Sequence, residues 1–135
     1  MKGIADTGFL VAFANRRDRH HAWATGLAAK MTTPLLTCEA VLAESAFHLR
    51  RADLVLEMVE TGLVTPAFAV SENLDQLAYL ARRYADRSPD LADLCLVRMS
   101  ELHPRHVVIT VDHADFRLYR RNRREAIPLL CHAER

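Results

Sequence analysis

The chain has 135 residues, half of them hydrophobic and 26% charged. That is the make-up of one folded domain over residues 1–135, and it excludes a disordered chain or two separate cores. Eighteen basic residues against seventeen acidic ones leave a net charge of +1, which names no partner. Lys2 and Lys30 are the only lysines. The arginine excess suits bidentate phosphate or carboxylate contacts, although a high-GC genome produces the same bias.

The longest uncharged stretch, Thr61 to Ser71, contains Pro66 and is too short to cross a bilayer. Asp6 falls before any signal-like apolar run develops. A cytoplasmic protein without a membrane segment is expected. Cys38, Cys95 and Cys131 are odd in number and lack CxxC spacing, so neither a disulfide framework nor a zinc site is expected.

With four Gly and five Pro the chain has few breakers. Lys2 to Ala5 reads as a short strand ending at Asp6, and Phe9 to Ala14 as a short helix. Asn15 to His21 is a polar connection, and Ala22 to Met31 a helix. Pro34 to Leu36 is a brief strand. Thr37 is placed to cap a helix from Cys38 to about Arg50. Ala52 to Glu60 is helical, and Leu63 to Thr65 a strand closed by Pro66. Ser71 caps a helix to about Ala85. Ser88 and Pro89 open another, reaching Leu102. His106 to Val111 is the clearest strand and stops at Asp112. A basic helical segment follows, then a last strand over Ile127 to Leu130. Alternation of this kind predicts a short, mostly parallel sheet with helices on both faces.

Ligands of open parallel sheets bind beyond the carboxyl ends of the strands. Asp6 and Asp112 both stand there, with Asp115 three residues on. An acid at either place alone is equally well explained as a turn or cap residue. Asp93 lies on an all-round apolar helix, where a charge needs a partner or a cation. Asp90, in the first turn, is accounted for by the helix dipole. On the helix from Cys38, the apolar residues Ala40, Val41, Leu42, Ala43, Ala46, Phe47 and Leu49 accompany Glu44. Glu44, His48 and Arg51 stand at the spacing of a polar stripe. Two carboxylates ~5 Å apart at an effective dielectric of ~20 repel by about 3 kcal/mol. Converging acids therefore call for a divalent cation, and oxygen-only ligation favours Mg²⁺ or Mn²⁺ over zinc.

Four segments now line up in order: Ile4-Ala5-Asp6-Thr7-Gly8-Phe9-Leu10; Thr37-Cys38-Glu39-Ala40-Val41-Leu42-Ala43-Glu44; Tyr84 through Asp93; and Ile109-Thr110-Val111-Asp112-His113-Ala114-Asp115-Phe116. Together they resemble a PIN-domain ribonuclease of the VapC toxin type. The resemblance implies an α/β/α sandwich, PIN-like, around a short parallel sheet. It places the family's catalytic and metal-binding acids on Asp6, Glu44, Asp93 and Asp112. Asp90, Asp115, Thr7 and Thr110 fall on auxiliary positions. It also implies Mg²⁺- or Mn²⁺-dependent RNA hydrolysis leaving 5′-phosphate and 3′-hydroxyl ends, a small VapB-type antitoxin partner, and a homodimer.

For RNA contacts the candidates are Arg16, Arg17, Arg19, His20 and His21, and a second group at Arg117, Arg120, Arg121, Arg123 and Arg124. Each group follows an acidic strand end. Phe9, Phe13 and Trp23 are candidates for base stacking, competing with a role in the core. The remaining histidines lack metal-ligand spacing. The alternatives are a PIN-fold binding module with little catalysis and a free-standing RNA-processing nuclease. A receiver-like phosphoacceptor is disfavoured, because no Lys follows Lys30.

Overall fold

The computed structural model describes residues 1–132. The strands are β1 (Gly3–Ala5), β2 (Leu35–Thr37), β3 (Val64–Pro66), β4 (Val107–Ile109) and β7 (Leu129–Leu130). They form one sheet in the order β3-β2-β1-β4-β7, every neighbouring pair parallel. Ile4 pairs with Leu36 on one side and Val108 on the other. The helices α1 (Thr7–Ala14), α2 (His21–Ala29), α3 (Glu39–Leu49), α4 (Ala52–Glu60), α5 (Leu74–Arg83), α6 (Leu91–Leu102) and α7 (His113–Leu118) fill the connections. The result is the expected α/β/α sandwich.

The sheet centre explains its own sequence. β1 and β4 carry Ile4, Ala5, Val108 and Ile109, all fully buried, as strands covered on both faces must be. A Cβ on Gly3 would run into the tip of Ile109 and press on Leu35, so those side chains pack close over this strand. α6 lies deepest of the helices. Cys95, Leu96, Val97 and Met99 have no exposed surface, which accounts for its apolar residues pointing in every direction.

Several local expectations are corrected. Thr37 is not a cap but the last residue of β2, and its buried hydroxyl donates to Ala5 O at 3.1 Å. Cys38 occupies the α3 N-cap without a side-chain bond. Ser71 lies in a 3₁₀ turn (Val70–Glu72), and Asn73 precedes α5. Ser88 takes a left-handed conformation at φ 47°, while Asp90 caps α6 by accepting the Asp93 N–H at 2.8 Å.

The basic segment after Asp112 is only briefly helical. After α7 it forms a small antiparallel hairpin, β5 (Arg120–Arg121) with β6 (Glu125–Ala126). Its turn holds Asn122 at φ 49° and Arg123 at φ 72°. The hairpin is anchored by Arg121, whose guanidinium donates to Ser100 O at 2.9 Å and Pro104 O at 3.3 Å and pairs with Glu125. Arg121 is 5% exposed. It is therefore withdrawn from the RNA-contact candidates: its guanidinium is buried, and both of its terminal nitrogens donate inside the fold.

Candidate active site

The chain leads away from β1 to β2 and β3 on one side and returns to β4 and β7 on the other. The crevice of such a sheet opens between the two central strands, beyond their carboxyl ends. Asp6 immediately follows β1, and Asp112 is the third residue after β4.

Asp6 is both strand end and helix cap. Its Oδ1 accepts the Thr7 N–H at 2.6 Å, which starts α1. Its Oδ2 accepts the Thr110 hydroxyl, also at 2.6 Å, and Thr110 Oγ1 accepts the Asp112 N–H at 3.0 Å. Thr7, Asp6, Thr110 and Asp112, just past the ends of two neighbouring strands, thus share one hydrogen-bonded chain. Gly8 permits the close approach of α1 to Val111: a Cβ there would collide with Val111 Cγ2.

Asp6, Glu44, Asp90, Asp93, Asp112 and Asp115 all line a single cleft of about 460 Å³, together with Thr7. Thr110 is fully buried beneath them. Two residues not singled out as site residues, Asp18 and His48, also line the cleft. His48 Nε2 stands 3.9 Å from Glu44 Oε1. Arg51 leaves the expected stripe and makes a two-bond fork with Asp53 at 2.8 and 2.7 Å.

The electrostatics are those of crowded carboxylates. Burial pushes Asp6 up to about 6, with the charges of Glu44 and Asp112 adding to it and the Thr110 and Thr7 hydrogen bonds opposing. Asp93 rises to about 8, through burial first and then the charges of Asp90 and Asp6. Tyr119 opposes that rise by donating its hydroxyl to Asp93 Oδ2 at 3.3 Å. Burial, then the Asp93 charge, keeps the Tyr119 phenol protonated. Glu44 is raised too, by burial and then by Asp90.

Among the described residues, no three His, Cys, Asp or Glu side chains stand close enough together to grip a metal ion. The acids line the walls of one cleft rather than meeting at a point. The donor chemistry nonetheless fits a hard divalent cation. Every acid offers oxygen only. The Thr7 hydroxyl at the cleft wall is buried without a hydrogen-bond partner. Burial and crowding raise both Asp6 and Asp93, so a bound cation would favour their ionised forms.

Of the basic candidates, Arg16, Arg17 and Arg19 are exposed on the connection whose Asp18 lines the cleft. Arg117 is exposed on α7, next to Asp115 in the same helix. Arg120 donates to Arg117 O at 2.7 Å and Tyr119 O at 3.1 Å. Phe9 is fully buried and stacks edge-on with Trp23 at 6.0 Å, and Phe13 packs against the same core, so none of the three serves as a free platform. The exposed aromatic is Phe47, which the sequence places among the apolar core residues of α3; it is 76% exposed.

An all-parallel α/β/α sandwich with carboxylates gathered at the switch point of its sheet defines a class of protein. The PIN-domain family model matches residues 4–122, and the chain belongs to that family. The fold is similar to that of the sarcin–ricin-loop-cleaving toxin VapC20 of Mycobacterium tuberculosis. The TM-score is 0.70 at 19% identity, over 82% of this chain and 90% of that one. No curated protein matches the chain in sequence. Among the described residues, no helix is long and apolar enough to cross a membrane.

Proposed function

We propose that this chain is a metal-dependent endoribonuclease and the toxin of a VapBC-type pair, acting in the cytoplasm. The observation that carries the reading is the joint presence of Asp6, Glu44, Asp93 and Asp112 in one cleft at the switch point. These four acids are the residues that would hold Mg²⁺ or Mn²⁺. The bound cation supplies an acidified water and neutralises charge developing on the phosphate.

The protein's own part is positioning. Asp6 is fixed at both oxygens by Thr7 and Thr110, and Asp93 is held by Tyr119. Glu44, at the cleft edge beside His48, is placed to orient the attacking water. Asp90 and Asp115 deepen the negative potential. Arg16, Arg17, Arg19, Arg117 and Arg120 are the candidates for the flanking phosphates, since no Arg or Lys lines the acidic cleft itself. Cleavage at the P–O3′ bond leaves the phosphate on the 5′ end of one product and a hydroxyl on the 3′ end of the other. A VapB-type antitoxin and a second copy of this chain complete the proposed assembly.

VapC20 cleaves the sarcin–ricin loop, so that RNA is the first substrate to try. The purified protein should cut RNA with Mg²⁺ or Mn²⁺, stop on chelation, and lose activity in Asp6→Asn. Equal cleavage by Asp6→Asn would refute the site. RNA binding without turnover across a broad panel would instead support a binding module.

A further inference from the structure

Phe47 is the most exposed large apolar residue described. It lies three residues after Glu44 on α3, and residues at that spacing are surface neighbours on a helix. Glu44 and His48 line the cleft. The Phe47 ring stands edge-on to the His48 ring at 5.7 Å between centroids. Phe47 therefore extends the cleft wall outward. Three residues further on, Arg50 ends the helix in a left-handed turn at φ 55°, its N–H bonded to Phe47 O at 3.3 Å. Arg50 is exposed and has no ion pair among the described residues.

Outward from the carboxylates come the imidazole of His48 and the ring of Phe47, with exposed Arg50 at the cap that ends the same helix. A protein partner covering Phe47 would have to dehydrate Arg50 and the Glu44–His48 pair along with it. An unpaired nucleotide matches the same sequence of groups: a base face for the ring and a phosphate for the cation. Resting on the nuclease reading, we infer that Phe47 stacks on an unpaired base of the RNA as the strand leaves the cleft. Arg50 takes a phosphate beyond it.

The test uses the full chain and a short single-stranded oligoribonucleotide with 2-aminopurine stepped through its positions. With Asp6→Asn protein, which binds without cutting, the fluorescence of one position should be quenched by stacking. Phe47→Leu in that background should lift the quenching, and Phe47→Trp should keep it. In the active protein, Phe47→Leu should raise KM roughly tenfold while kcat stays within about twofold, because the platform binds substrate and transition state alike. Unchanged quenching and KM in Phe47→Leu would overturn the inference. So would a Phe47→Leu effect confined to the protein's mass in solution, which would mark a face between copies. Cleavage that depends on Asp6 but is indifferent to Phe47 refutes this inference alone. RNA left uncut by the unaltered protein refutes the nuclease reading and the inference with it.

Discussion

Thr110 holds Asp6 in place across two strands: its hydroxyl donates to Asp6 Oδ2 at 2.6 Å and accepts the Asp112 N–H at 3.0 Å. The bond also lowers the cost of ionising a buried Asp6. Thr110→Val keeps the shape and removes the donor. Partners that orient metal ligands contribute about 10–100-fold in affinity or activity. A loss of that size is expected in Mn²⁺ affinity by calorimetry and in cleavage rate, with the fold intact by circular dichroism. An unaltered Mn²⁺ affinity would show that the hydroxyl is structural only.

Asp6 and Asp93 have raised values in the folded chain, at about 6 and about 8. A carboxyl that holds its proton more tightly when folded favours folding while protonated. That contribution is full below the ordinary aspartate range near 4 and is lost as pH rises through 6 and then 8. Without metal, the melting midpoint should therefore fall between pH 5 and pH 9, by on the order of 5 °C. Mn²⁺ at pH 9 should restore it, because the ion binds the ionised acids. A metal-free midpoint that rises over this window would contradict the burial of these two groups.

Arg121 and the Arg16–Arg17 pair should separate cleanly. Arg121→Ala removes the bonds to Ser100 and Pro104 and the pair with Glu125. A cost of about 2–4 kcal/mol in denaturant unfolding is expected. Arg16→Ala and Arg17→Ala should leave stability unchanged and weaken RNA binding, with the salt slope reduced by about 0.7 for each lost phosphate contact. Fluorescence anisotropy across a salt series measures this.

Gly8 faces Val111 with no space for a methyl group. Gly8→Ala should destabilise the chain by about 1–3 kcal/mol through overpacking and reduce cleavage by displacing the first turn of α1 beside Asp6. Val111→Ala in the same chain should recover much of both. Thermal melts and cleavage rates of the two single variants and the double variant test the contact directly.

The acid positions were readable because strong signals coincided there. A short apolar strand interrupted by Asp6, a β-branched strand stopped at Asp112 and a charge at Asp93 on an apolar helix each limit where a side chain can go. Helix starts were less readable. Thr37, Ser71 and Ser88 all have capping chemistry, but β2 claims Thr37, a 3₁₀ turn claims Ser71, and Asp90 outcompetes Ser88. Phe47 was hidden because an apolar residue on a helix reads as core, although folded surfaces carry many apolar atoms. Arg121 was hidden for the opposite reason: a basic run reads as a solvated helix. The positive φ at Asn122 and Arg123, which folds the run back on itself, has no glycine to announce it.

The central claim is that acids far apart in the chain act together on one divalent cation. A crystal grown with Mn²⁺ and measured at the manganese absorption edge tests it most directly. The account predicts an anomalous peak in the cleft between Asp6, Asp93 and Asp112, absent from Asp6→Asn crystals. A peak elsewhere, or an empty cleft at saturating Mn²⁺, would contradict it.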